Sequence, residues 1–260
     1  MRAVQCVEIR VVLLFFSLRK EKNKMKNRHF CVAEDLEEVT TRWLWDPYIP
    51  YGRVTFLHGE ESVGKTMLAI KLMAAVTGKA KMDRMGDKPE KGRCLYLTKE
   101  ERLSAVIKPK LKEAGANLKD ILIINDNIPI TLADDSLKEI IRKEGISLMV
   151  IDPLSSYLEK EEGLANNPGA VYPIIKKLSD LAEEIGCAIL VIEKSDGTDC
   201  FQSKAWRAGF NSCVSSFLCL EWEDESAFEE RWLFHEYSLL SVEGDPIAYE
   251  LTPGKGLKCV

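Results

Sequence analysis

The sequence is poor in the residues that build metal centres and bilayer spans. Its three histidines, His29, His58 and His235, lie far apart. Its eight cysteines include no CxxC, and the nearest two are Cys213 and Cys219. Local zinc motifs need tighter ligand clusters, so a metal–thiolate centre is not expected. Several cysteines sit in apolar runs, such as Cys94-Leu-Tyr-Leu and Gly186-Cys-Ala-Ile-Leu-Val, where a reduced thiol packs as a small hydrophobe. That usage suits a reducing, cytoplasmic compartment. The apolar run Val11–Phe16 is far short of the ~20 residues a membrane-spanning helix needs, and no small-residue cleavage site follows it. No stable membrane insertion is expected. Positive charge is not in excess either: 36 Lys/Arg face 41 Asp/Glu, a net charge of −5, which argues against coating nucleic acid by bulk charge. There is no internal repeat and no low-complexity linker.

What is present is unevenly distributed. Residues 1–28 carry +6, leaving −11 for the remainder. The basic leader matches no targeting pattern, and Met25 offers a later start, so residues 1–40 are read as an N-terminal extension whose first 24 residues are not expected in the mature chain. The alternative for this leader is a weak membrane- or partner-binding segment.

From residue 53 a strand–turn–helix alternation begins. Apolar runs at Val54–His58, Cys94–Leu97, Ile121–Ile124, Leu148–Ile151 and Ala188–Ile192 predict strands. Between them, helical spacing and terminal glycines predict helices after residue 66 and near 103–114, 134–144 and 169–185. Near-continuous apolar strands alternating with helices indicate an α/β fold with a mainly parallel sheet covered on both faces. After residue 210 the runs Val214–Trp222, Arg231–Tyr237 and Ile247–Leu251 lack intervening helices and predict antiparallel strands added at the sheet edge. One domain, residues 41–260, results, with a core to 210 and a strand-rich tail.

The strongest motif is Gly59-Glu60-Glu61-Ser62-Val63-Gly64-Lys65-Thr66, a complete G-x-x-x-x-G-K-[ST] between a predicted strand and a predicted helix. Its glycines let backbone N–H groups wrap phosphate oxygens at a helix N-terminus. Lys65 is expected on the β- and γ-phosphates of ATP, and the Thr66 hydroxyl on Mg²⁺. Leu148-Met-Val-Ile-Asp152 places a carboxylate at the end of a buried strand, where open α/β sheets bind ligands, and makes Asp152 the candidate for the metal shell. Glu100 and Glu101, just past the Cys94–Leu97 strand, are the candidates for polarising an attacking water.

These residues, with Arg42-Trp-Leu-Trp45, Ile49-Pro-Tyr-Gly52, Leu95-Tyr-Leu-Thr-Lys-Glu100, Val150-Ile-Asp-Pro-Leu154, Asn166-Asn167 and Trp206-Arg-Ala-Gly209, resemble the RecA-fold AAA-type ATPases related to RepA-like hexameric replicative helicases of plasmids. The resemblance covers residues 41–210 well and the rest loosely. It implies a RecA-like core, ATP with Mg²⁺, assembly into a homo-oligomeric ring of hexameric type, and a role in DNA replication or a mobile element. It makes Glu100 the catalytic carboxylate. It also makes Arg207 an arginine finger reaching a neighbour's site, a role that a permanently charged fork of donors fits.

The sequence departs from that family where a sensor histidine is usual: its fifth strand ends Val191-Ile-Glu193-Lys194. A second arginine after Arg207 is also missing. A second reading therefore stands beside the helicase, an ATP-dependent switch or assembly protein with little hydrolysis and no movement along DNA. Residues 221–250 hold ten acidic residues and one basic, Arg231, which disfavours DNA contact there. Single-stranded DNA is expected, if anywhere, on a few basic loops around Lys194, Lys204 and Arg207, which can equally be solvated. Trp43 and Trp45 are read as packing on the core rather than stacking on a base.

Overall fold

In a computed structural model of the chain, the described residues are 32–78, 80–82, 84–85, 89, 91–124, 132, 135–158, 168–194, 209–223, 230–252 and 256–259. Residues 1–40 and 41–260 form two separate compact units. In the first, the described part is an exposed stretch with one turn of 3₁₀ helix, Ala33–Asp35.

The second unit opens with a two-stranded antiparallel hairpin, β1 (Trp43–Trp45) and β2 (Ile49–Pro50). There follow β3 (Val54–His58), α1 (Lys65–Thr77), β4 (Arg93–Thr98), α2 (Lys108–Glu113, entered by a π-helical turn from Leu103), β5 (Ile121–Ile124) and α3 (Asp135–Glu144). Next come β6 (Ile146–Asp152), α4 (Pro168–Ile185), β7 (Ala188–Ile192), β8 (Ser216–Trp222), β9 (Glu230–Ser238), β10 (Ile247–Thr252) and β11 (Gly256–Cys259).

Nine strands make one sheet in the order β11-β10-β9-β8-β3-β7-β6-β4-β5. From β8 to β5 every neighbouring pair is parallel, and β8-β9, β9-β10 and β10-β11 are antiparallel. This is the mainly parallel sheet with antiparallel strands at its C-terminal edge that the sequence predicts. One strand departs from the expectation. The run ending at Trp222 was expected to be antiparallel, yet β8 lies parallel to the central β3, pairing Phe56 with Phe217 and His58 with Cys219. The residues between β7 and β8 are enough for a crossover, whereas the short link from β8 to β9 permits only antiparallel return.

Helices cover both faces. Leu68, Ile70, Leu72, Met73 and Val76 of α1, with Ile107 and Leu111, pack on Leu57, Tyr96, Val150, Leu190 and Leu218. On the opposite face Leu137 and Ile141 of α3, with Val171, Ile175, Leu178 and Ala182 of α4, pack on Val54, Phe56, Leu97, Ile151 and Val191. Strict alternation within each strand divides its side chains between these two cores. α1 is apolar on nearly all sides because the loop before it must be held at the sheet centre, so it lies buried rather than on the surface. Trp45 is also buried, its ring 4.5 Å from that of Tyr48, which fits the packing role expected of it. Among the described residues, no helix is long and apolar enough to cross a membrane.

Candidate nucleotide-binding site

The loop from Gly59 to Gly64 leaves the C-terminal end of the central strand and enters the N-terminus of α1. Gly59 has φ +149°, and a Cβ there would lie 2.1 Å from the Leu220 carbonyl oxygen of β8. Only glycine fits so close an approach at that φ. Ser62 (φ 64°) and Gly64 (φ 110°) are also in the left-handed region, so the chain curls here in the way that backbone anion-binding nests do. Val63 is fully buried and pins the loop to the core, while Glu60, Glu61 and Ser62 face solvent. The curl is the cradle that an anion needs, formed by backbone before any ligand arrives.

Lys65 Nζ donates to the carbonyl oxygens of Gly59 (2.7 Å) and Glu60 (2.6 Å), so its ammonium arches over its own loop. Burial lowers its pKa from the ordinary lysine value, opposed by the charges of Asp152 and Glu193. The Thr66 hydroxyl donates to Asp152 Oδ2 at 2.7 Å. Asp152 ends β6 directly in register with Thr98 of β4. Burial raises the Asp152 carboxyl above the usual range, and hydrogen bonds from Thr66 and Tyr96 and the charge of Lys65 pull it back. The adjacent hydroxyl and carboxylate are hard oxygen donors of the type that Mg²⁺ takes, so the residues present fit that ion.

Glu100 lies two residues beyond Thr98, with its backbone N–H donating to Thr98 Oγ1 at 3.2 Å. Its carboxylate accepts from the Arg102 backbone N–H (3.0 Å) and Nε (3.1 Å), and these bonds hold it below the usual carboxylate range. Beside it, the Lys99 ammonium sits 4.9 Å from the Tyr157 ring centroid, tying the end of β4 to the segment after β6. Glu101 is exposed. Arg207, Lys204 and Asn166-Asn167 lie outside the described residues.

Four participants were not anticipated. Tyr96 OH donates to Asp152 Oδ2 at 2.9 Å, a contact hidden in an ordinary apolar strand. Glu193 is buried and accepts from the Ser155 N–H (2.6 Å), the Ser155 hydroxyl (2.9 Å) and the Lys194 N–H (2.9 Å). Where the resembling family carries a sensor, this chain has an anchor for the turn after Asp152; burial raises its pKa. Lys194, considered above for DNA, is paired with Glu61 of the phosphate loop at 2.6 Å. Arg231 of the acidic tail is buried with its guanidinium 4.2 Å from the Trp222 ring centroid, and its Cδ and Nε lie 3.8 Å from where a Cβ on Gly64 would be. The first of these joins strands 56 residues apart in sequence, and no local motif signals it.

A glycine-curled loop on the central strand of a parallel sheet, a lysine within it, and a threonine bonded to a strand-ending aspartate define a P-loop nucleotide site. A family model described as an AAA domain matches residues 32–196, and the chain belongs to that family. It is also 26% identical over 155 residues to proteins named Protein RecA from Bordetella avium and Bordetella pertussis. Those alignments cover 56% of this chain and 39% of each relative, so the chain spans well under half the length of the relatives it matches. Fold, loop and family together make the chain a RecA-like, ATP-binding NTPase.

Proposed function

We propose that residues 41–260 are a Mg²⁺-dependent ATPase domain of the RepA-like helicase type, acting in a homo-oligomeric ring and linked to DNA replication or a mobile element, with residues 1–40 as an extension. The Thr66–Asp152 hydrogen bond at the mouth of the phosphate loop carries the Mg²⁺–ATP part of this reading, because it joins the loop threonine to a strand-ending carboxylate 86 residues away. Backbone amides from Gly59 to Thr66 take the phosphate oxygens, and Lys65 leaves its own loop carbonyls to contact the β- and γ-phosphates. Thr66 and Asp152 would hold Mg²⁺, which supplies neutralisation of phosphate charge when bound. Glu100, held ionised by Arg102, orients the attacking water and accepts its proton. Arg207 from a neighbouring subunit stabilises the charge that builds on the transferred phosphoryl group.

Replacing Lys65 with Ala is expected to weaken ATP binding about 10–150-fold, the loss of a charged hydrogen bond, and to abolish turnover. Equilibrium binding of a fluorescent ATP analogue and a steady-state ATPase assay measure both; normal hydrolysis by the variant rejects the site.

One observation favours the switch reading over a motor. Glu193 is buried and committed to Ser155 and the Lys194 backbone, so it is not arranged to read a γ-phosphate. ATPase rates with and without single-stranded DNA, with oligomer mass measured alongside, separate the two. DNA-stimulated turnover by a ring supports the helicase type, and a monomer indifferent to DNA supports the switch.

A further inference from the structure

His58, Cys219 and Glu236 take no part in the nucleotide chemistry above, yet the sheet gathers them at one point. His58 is the last residue of β3 and pairs in register with Cys219 of β8. On the next strand the register slips: Phe217 pairs with Tyr237 and Leu218 with His235, leaving Glu236 as the extra residue of a bulge. A bulge re-aims the side chain it carries. Here the Glu236 carboxylate reaches across β8 and meets His58 Nε2 at 2.7 Å.

The imidazole nitrogen, thiol sulfur and carboxylate oxygen all lie within 4.8 Å of one another. His58 and Cys219 are buried, whereas the Glu236 side chain is 24% exposed, which leaves an entry path from solvent. Among the described residues His58 Nδ1 is buried with no hydrogen-bond partner, so the neighbouring described groups satisfy only one side of the ring.

We propose that His58, Cys219 and Glu236 bind a divalent transition-metal ion, with Zn²⁺ the best match and water in the fourth position. Mixed N, S and O donors suit a borderline-soft ion that accepts tetrahedral geometry, and they do not suit Mg²⁺ or Ca²⁺, which take oxygen. The site is therefore chemically separate from the oxygen pair Thr66–Asp152. Binding requires the thiolate, so the Cys219 proton must leave. Its outlet is Glu221, whose Oε1 accepts the thiol hydrogen bond at 3.1 Å and which is exposed to solvent. Bound there, the ion ties β3, β8 and β9 together immediately behind the phosphate loop.

Cobalt substitution tests this on the full chain, stripped of metal and without nucleotide. Titration with Co²⁺ is expected to produce visible d–d bands and a thiolate-to-cobalt charge-transfer band, saturating at a single equivalent and displaced by Zn²⁺. Cys219→Ser is expected to erase the charge-transfer band and weaken Zn²⁺ binding more than about 100-fold, beyond what loss of an outer-shell partner costs. Glu236→Gln, at a partly exposed position that leaves the fold intact, is expected to weaken Zn²⁺ at least about 10-fold. Cys259→Ser is the control and is expected to change nothing. The proposal is overturned by a wild-type chain without the band, by a band that survives Cys219→Ser, or by unchanged Zn²⁺ affinity in Glu236→Gln. Should Cys219→Ser fail to fold by circular dichroism, the Glu236→Gln titration decides.

Discussion

On one side of β3 the sheet runs β7, β6, β4 and β5, all parallel; on the other, β8 continues in parallel before β9, β10 and β11 reverse direction. The first side is sandwiched between α1 and α2 on one face and α3 and α4 on the other, and β6 and β7 are buried along nearly their whole length. Along β9, by contrast, Leu233 is buried while its neighbour Phe234 is 36% exposed, and burial alternates residue by residue. The parallel half sends Gly59, Asp152, Glu100 and Glu193 to a single edge because all its strands point the same way. The antiparallel half sends strand ends both ways, and its acidic residues Glu221, Glu223 and Glu236 are exposed. Directionality, more than composition, concentrates the chemistry on one side.

Four substitutions can break or sharpen that contrast. The largest effect is expected from Glu100→Gln, which should retain ATP binding but lower turnover about 10²–10⁴-fold. The matching change in the tail, Glu230→Gln, removes a carboxyl that is raised mainly by its contact with the Glu223 carboxyl, and should leave turnover unchanged. Equal losses in a steady-state ATPase assay would erase the division of labour. Next, Leu190→Ala on β7, at 1% exposure, should cost about 2–5 kcal/mol in denaturant unfolding. Phe234→Ala on β9 should cost about 1 kcal/mol or less. A larger loss at Phe234 would show that the open face is covered.

The nucleotide edge was well legible in the sequence because its signals are local. A loop motif of eight residues marks the cradle, and an apolar run ending in Asp152 marks the second strand of the site. Five of the six parallel strands stood out as β-rich runs flanked by glycine-ended helices, and three of them, Val54–His58, Ile121–Ile124 and Ala188–Ile192, have the expected bounds. The direction of β8 was not legible, since nothing in Ser216–Trp222 itself records which strand lies beside it. The roles of Tyr96, Glu193 and Lys194 were hidden for the same reason: each depends on a neighbour that only sheet order supplies. His58, Cys219 and Glu236 are scattered in sequence, and a search by ligand spacing passes over them. β1, β2 and β11, of two to four residues, are too short to leave a periodic signal.

Two further substitutions probe the edge itself. Tyr96→Phe should lower stability by about 1.5–3 kcal/mol, the worth of a buried hydrogen bond to an ionised carboxylate, and weaken Mg²⁺-dependent ATP binding. Thermal unfolding with and without Mg²⁺·ATP reads both; an unchanged nucleotide-dependent shift would remove Tyr96 from the site. The least effect is expected from Lys194→Ala. Its partner Glu61 is exposed, so the pair is screened, and the unfolding midpoint should not move measurably. A clear shift that fades with added salt would show that the pair holds the phosphate loop in place.

The position of β8 also has a consequence in time. During synthesis the residues up to β7 emerge first, and without β8 one flank of β3 has no partner for its backbone groups, while Gly59 has no Leu220 carbonyl to rest against. The binding loop is encoded in the first quarter of the chain, but its final shape waits on residues 216–222. A ribosome-bound fragment ending before them is therefore expected to carry the whole motif and still lack a finished cradle.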